Sequence, residues 1–157
     1  MLNTPRSSHA ICSFNDRFLY VFCGGQAGKL SLTTVERIEI DMDATWTTIE
    51  LAKQDEDWLP RSMIGVEQIS ANELVIYGDQ NRNNLTYLLT HKKHGASLQK
   101  LVTQIVPAVY GYRYTRVVLG GFLFSFTDTF DYMWSYEHVT KQWNCCGKGG
   151  DIKMEGE

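Results

Sequence analysis

The most constraining feature of the sequence is a pattern that returns. Pro5-Arg6-Ser7-Ser8 leads into a moderately apolar stretch ending at Phe14. Polar Asn15-Asp16-Arg17 follows, and an apolar run, Phe18 to Cys23, then stops on Gly24-Gly25. Pro60-Arg61-Ser62-Met63 leads in the same way into Ile64 to Ile69, a polar Ser70-Ala71-Asn72, and a second apolar run, Glu73 to Tyr77, ending at Gly78. A third unit starts near Pro107. The three prolines are spaced by 55 and 47 residues; Gly24, Gly78 and Thr127, which end the second strand of each unit, by 54 and 49; and Ile40, Leu89 and Tyr136 by 49 and 47. Trp46 and Trp143 lie 97 apart, close to two periods. Independent markers agreeing on one period describe an array of a single supersecondary unit, each unable to bury its own faces without a neighbour.

Within the unit the signals are those of strands. Asn15-Asp16-Arg17 is turn chemistry, because Asn and Asp side chains bond nearby backbone. Phe18 to Cys23 is continuously apolar, aromatic and β-branched, which suits a strand covered on both faces. Gly24-Gly25 marks a place where the backbone needs positive φ or close approach. Thr33 to Asp41 alternates, with Ile38 and Ile40 expected inward, and Thr45 to Leu51 forms a fourth strand anchored by Trp46. The second unit continues through Leu85 to Thr90, with His91 to Ser97 expected as a turn-like insertion. Residues 96–106 carry apolar side chains at helical spacing, but the repeat requires a strand, and a strand is the reading adopted. The third unit reads as Tyr110 to Val118, a turn at Leu119-Gly120-Gly121, Phe122 to Phe126, Tyr132 to Glu137, and Gln142-Trp143-Asn144 after a turn at Val139-Thr140-Lys141.

A period near 50 with four strands per unit is the signature of propeller blades. The residues themselves resemble a kelch repeat: Pro5-Arg6-Ser7-Ser8-His9, Leu19 to Phe22 with Gly24-Gly25, the strand to Asp41, and Trp46. The second unit keeps Pro60-Arg61, Gly78 and Tyr87 but lacks the tryptophan and the second glycine. The third keeps Trp134, Tyr136 and Trp143, but has Ala108 in place of the arginine and no diglycine after its second strand. The resemblance spans about residues 5–145. It implies an all-β fold of kelch-type β-propeller blades: about three four-stranded antiparallel sheets over 5–51, 60–104 and 107–145, with a flexible tail over 147–157. Closed propellers have about 4–8 blades. Three form an incomplete propeller, whose open flanks are expected to be covered by self-association or by additional blades.

Charge and composition narrow the function. A formal net charge of −3, with no basic patch, points away from nucleic acid. Met1 to Ser8 has no apolar core of a secretory signal, and no run approaches the roughly 20 apolar residues of a membrane span. Cys12, Cys23, Cys145 and Cys146 include no Cys-x-x-Cys pair, which leaves a zinc site without ligand spacing and fits reduced thiols in the cytoplasm. His91-Lys92-Lys93-His94 reads as a solvated turn, since the lysines oppose a cation; His138 lies in a turn with no evident partner.

No catalytic residue, cofactor or metal is expected. The resemblance implies a non-catalytic protein-interaction module that meets a protein or peptide through variable loops. In kelch proteins that bind peptides, contacts come from the loop after the diglycine and from the fourth residue of the Pro-Arg segment. Here these positions are Ser8 and Met63, then Gln26, then Gln80, Asn81, Arg82 and Asn83, then Phe130, with Ala27 and Thr129 beside them. Arg82 among amides suits carboxylate or backbone recognition, and Phe130 suits an apolar anchor. Arg6 and Arg61 are expected to be structural, bonding loop carbonyls between blades. Two further readings stay open: a part of a kelch-containing, metal-dependent oxidase-type enzyme, and a degenerate structural fragment.

Overall fold

A computed structural model describes residues 1–26, 32, 34–41, 44–49, 51, 64–77, 86–93, 95–101, 116–126 and 132–148. They form twelve strands and, among the described residues, no helix. Three four-stranded antiparallel sheets follow one another along the chain. The first is β1 (Ala10–Phe14), β2 (Phe18–Phe22), β3 (Val35–Glu39) and β4 (Thr47–Ile49); the second is β5 (Gly65–Gln68), β6 (Glu73–Tyr77), β7 (Thr86–Lys92) and β8 (Gly95–Leu101). The third is β9 (Arg116–Leu119), β10 (Phe122–Phe126), β11 (Tyr132–Glu137) and β12 (Gln142–Lys148). Strands are adjacent in sequence order in every sheet, so each is a simple meander, or blade.

The tight turns follow the chemistry of their residues. Asn15 and Asp16 both take left-handed backbone, at φ 53° and 52°, and Arg17 N–H donates to Phe14 O at 3.2 Å. Gly120 and Gly121, at φ 60° and 82°, join β9 to β10 by a two-residue hairpin. Two central residues with positive φ match the right-handed twist of the flanking strands.

The second blade shows why the array needs stacking. Its alternate residues bury in opposite directions. Leu74, Ile76, Tyr87 and Leu89 join one core with Phe14, Tyr20, Phe22 and Val35 of the first blade. Val75, Tyr77 and Leu88 join another with Leu123, Tyr136 and Trp143 of the third. A strand dry on both faces has no polar alternation, which is why Leu74 to Tyr77 reads as one apolar run. At the inner edge β1 lies beside β5, and Arg116 of β9 forms an ion pair with Glu67 of β5. Burial pushes the Glu67 carboxyl upward, and Arg116 opposes that shift. At the outer edge Leu51 bridges Ala96.

Four expectations are corrected. Ile38 and Ile40 do not face inward: the register Val35↔Phe22 and Val35↔Ile49 puts Val35 on the core side, leaving Ile40 60% exposed. Glu36, on the same face as Ile38, is buried instead. Trp46 is only half-buried, and Ile49 is the core residue of β4. His91 to Ser97 is no insertion, because β7 runs on to Lys92 and β8 begins at Gly95. β12 extends to Lys148, past the expected Asn144. Residues 96–101 are strand, as the repeat required; 102–106 and the tail over 149–157 lie outside the described residues.

Gly24 carries the sharpest backbone demand. It sits at φ 92°, and a Cβ there would lie 2.5 Å from Ser7 O and 3.1 Å from His9 Cβ. Gly24→Ala is therefore expected to cost more than about 2 kcal/mol, combining left-handed strain with a backbone clash. Gly120→Asn, in open space, is expected to cost under about 1 kcal/mol, since Asn tolerates this region. Urea unfolding of the two variants checks the contrast.

Candidate interaction face

The end of the first blade where β1 begins and β2 ends is tied down by one buried arginine. Arg6 donates from Nη1 to Cys23 O and Thr34 O, both at 3.0 Å, and from Nε to Thr4 O at 3.3 Å. Its Nη2 donates to Thr34 Oγ1 at 3.0 Å and meets Glu36 Oε1 at 2.5 Å. Both side chains of this ion pair are 0% exposed. Glu36 also accepts from the backbone N–H of Asn3 and Thr4, at 2.7 and 3.1 Å. Two buried charges are tolerable only with such complete pairing. Arg6 is structural as expected, but the carbonyls it bonds, those of Thr4, Cys23 and Thr34, belong to its own blade rather than lying between blades. Glu36 is its missed partner, although a carboxylate opposite a buried guanidinium is what that role demands.

Above this knot Ser7 and Gly25 exchange two backbone hydrogen bonds of 2.8 Å, and Leu32 N–H donates to Gly24 O at 2.8 Å. Because this bridge is antiparallel, Ser8 lies one residue to one side of it and Gln26 one residue to the other, and both sit next to it at this end of the blade. Ser8 is exposed with φ 52°, and Cys23 beneath it has φ 57°. Left-handed backbone at two non-glycine residues concentrates strain at this end, a place where strain often accompanies function. Gln26 is half-buried. Met63, Gln80, Asn81, Arg82, Asn83 and Phe130 lie outside the described residues, as do Ala27, Thr129 and Arg61.

At the other end of the blade the structure assembles a group that sequence reading missed. His91 stacks on Phe14 with ring centroids 4.9 Å apart at 25°, and lies 4.9 Å from Phe18. The Tyr20 hydroxyl is 2.6 Å from His91 Nδ1. Arg37 Nη1 donates to that same hydroxyl oxygen and to Lys92 O, each at 3.4 Å, so the Tyr20 proton is directed to Nδ1. Arg37 and Arg17 lie over the Phe18 ring at 4.9 and 5.3 Å. A cleft of about 220 Å³ adjoins them, lined by Phe18, Arg37, Glu39, Asp41, Ala44, Thr45 and Thr47. Strand parity was the available signal: His91 shares a face with Tyr87 and Leu89, two and four residues earlier. His138 also has a partner, with Nε2 2.6 Å from Glu73 Oε2 across the second and third blades.

Burial lowers the His91 pKa, and Arg37 and Arg17 lower it further. Neutral His91 is the acceptor that Tyr20 needs. As pH falls below the ordinary histidine value, the unfolded chain takes up a proton that the folded chain resists. This contribution to stability is present at neutral pH and lost with acidification towards the depressed folded pKa. Wild type is expected to lose more melting temperature between about pH 7 and about pH 5 than His91→Phe. Equal losses would contradict this assignment.

None of the four cysteines is in a disulfide. Burial, with Glu67 adding to it, pushes the Cys12 thiol up to about 11. Among the described residues no group of three or more His, Cys, Asp or Glu could hold a metal ion. Among the same residues, no helix is long and apolar enough to cross a membrane.

No family model matches the chain. No curated protein matches it. Among solved structures it is similar to the one titled "Structure of YjhT", at a TM-score of 0.63 and 14% identity, over 94% of this chain and 53% of that one. The likeness is one of fold. It joins the three four-stranded sheets in describing a blade-like, β-propeller-like arrangement, of which the chain spans about half the length of that neighbour.

Proposed function

We propose that the chain is a section of a kelch-type propeller that recognises a protein or peptide through the loops at one end of its blades, without chemistry of its own. The observation that carries this reading is the Ser7–Gly25 bridge on the buried Arg6–Glu36 pair, which holds Ser8 and Gln26 at one rigid rim. A rigid scaffold presenting side chains from loops is a general design for recognition. In the sequence repeat, Arg82 and Phe130 fall in the corresponding segments of the second and third units. The cytosol is the compartment this reading assigns, in keeping with four cysteines outside any disulfide.

The test is selection of peptides from a displayed library on the intact chain. Selected peptides are expected to lose at least about tenfold in affinity on Ser8→Arg, Gln26→Ala or Arg82→Ala, as recognition hot spots do. Thr47→Arg, beside the cleft at the opposite end, is expected to leave them unchanged. Peptides insensitive to all three loop variants would overturn the proposal.

A further inference from the structure

The two cores account for both faces of the second blade and one face each of the first and third. The remaining two faces differ in how they are covered, and the difference is informative. On the third blade, Leu123 and Ser125 point to the second blade, so the register Phe122↔Leu119 and Phe124↔Val117 places these four residues on the far side. Val117 is 49% exposed, Leu119 68% and Phe122 37%, and Phe124 is half-buried. All lie on β9 and β10, the inner half of the blade. Further out on the same face, Ser135 is buried beneath exposed and more polar Asn144 and Cys146, and Cys146 Sγ donates to the Ser135 Oγ at 3.1 Å.

The far face of the first blade has the same division. Its outer half is partly covered by the chain itself, since Asn3 and Thr4 bond Glu36 on β3 and Asn3 Nδ2 donates to Trp46 O at 2.9 Å, although Thr48 opposite Glu36 is exposed. Its inner half is partly open: Ile11 is 46% exposed, Ser13 is exposed and Leu19 is half-buried, while Val21 opposite Ile11 is buried. None of the open residues on either face is charged. The two bare areas are thus both inner, both uncharged and mainly apolar, and both flat sheet surfaces of the kind that the chain already stacks twice within itself. Exposed apolar sheet of this sort marks an association surface.

We infer that a second copy of this chain covers both faces, the third blade of each copy stacking on the first blade of the other to close a two-fold ring. The length of the structural match supports this occupant: the chain fits 53% of its solved neighbour, so two copies supply about one neighbour's length. A two-fold ring makes the two contacts identical, satisfying both flanks of both copies with one interface. Asn3 to Arg6 then forms the outer part of each new joint. The inference rests on the blade architecture and is independent of what the loops bind.

The test is sedimentation equilibrium of the 157-residue chain. A dimer is expected. Leu119→Glu and Ile11→Glu, each at a solvent-exposed position of the single chain, are each expected to raise the dimer dissociation constant at least about 100-fold, because each buries an unpaired charge twice per ring. A mixture of the two variants restores one intact contact and is expected to dimerise more tightly than either alone. A folded monomer at all concentrations, or a larger oligomer, overturns the inference. So does a dimer that Ile11→Glu leaves untouched, which would mean third blade against third blade or another partner's place. Should a variant fail to fold, wild type alone decides. Cys146, on the far face, is expected to be alkylated several-fold more slowly above the dimer concentration than below it, and a constant rate counts against closure.

Discussion

Glu36→Ala is expected to lower the unfolding free energy by about 3–5 kcal/mol, the usual cost of breaking a buried ion pair from one side. The reason is the company Glu36 keeps. Its removal strands a guanidinium that is 0% exposed, together with the N–H groups of Asn3 and Thr4. The carbonyls of Cys23 and Thr34 still accept from Arg6 but cannot neutralise it. The pair itself need not be a net source of stability, because desolvating two charges offsets their attraction. Accordingly Arg6→Met with Glu36→Leu is expected to recover more than half of the loss while loosening the Ser7–Gly25 bridge. Urea unfolding measures the first effect, and exchange of the Gly25 amide measures the second. A Glu36→Ala cost under about 1 kcal/mol would show that water reaches the arginine.

Trp143→Ala is expected to cost about 3–5 kcal/mol, as for other large aromatic deletions from a core. Trp143 is 7% exposed and sits between Tyr77 and Tyr136, with ring centroids at 4.8 and 5.2 Å. Its indole N–H donates to Thr86 Oγ1 at 3.0 Å. The truncation opens the joint between the second and third blades and leaves the buried Thr86 hydroxyl without its donor. Thr86→Val separates the two contributions, and about 1 kcal/mol is expected for the hydrogen bond. Thermal melts of both variants, with the tryptophan emission of wild type as reference, check the division. A Trp143→Ala cost no larger than that of Thr86→Val would mean that the ring fills no joint.

The repeat made the sheets legible because buried strands and tight turns leave strong local signals. Glu73 to Tyr77 is apolar after its first residue, Phe122 to Phe126 is apolar but for Ser125, both are bounded by turn residues, and their strands match those runs end to end. What escaped reading was side-chain direction and pairing at a distance. Thr33 to Asp41 alternates with isoleucine on one parity and valine on the other, so pattern alone favoured the bulkier pair. The register to Phe22 chose Val35, because that face meets another blade while the opposite face meets the chain's own Asn3 and Thr4. Glu36 looked like a surface charge, since nothing local marks a carboxylate whose partner lies 30 residues earlier. His91 was misread for a related reason. Two lysines after it carry the appearance of a loop, although β7 continues through Lys92 and delivers the imidazole to Phe14 and Tyr20 of the preceding blade. At the proposed rim, the diglycine and the Pro-Arg segment lie against each other, with Ser8 and Gln26 beside the Ser7–Gly25 bridge. The backbone bridge that brings them together depends on Gly24, whose positive φ the glycine alone foreshadowed.

The claim on which the rest depends is that the three sheets stack face to face as consecutive blades. Proton NMR cross-relaxation between aromatic rings in different sheets tests it most directly. Cross-peaks are predicted between the His91 and Phe14 rings, joining the first two blades, and between the Trp143 and Tyr77 rings, joining the second and third. Cross-strand contacts within each sheet accompanied by neither inter-sheet pair would contradict the account.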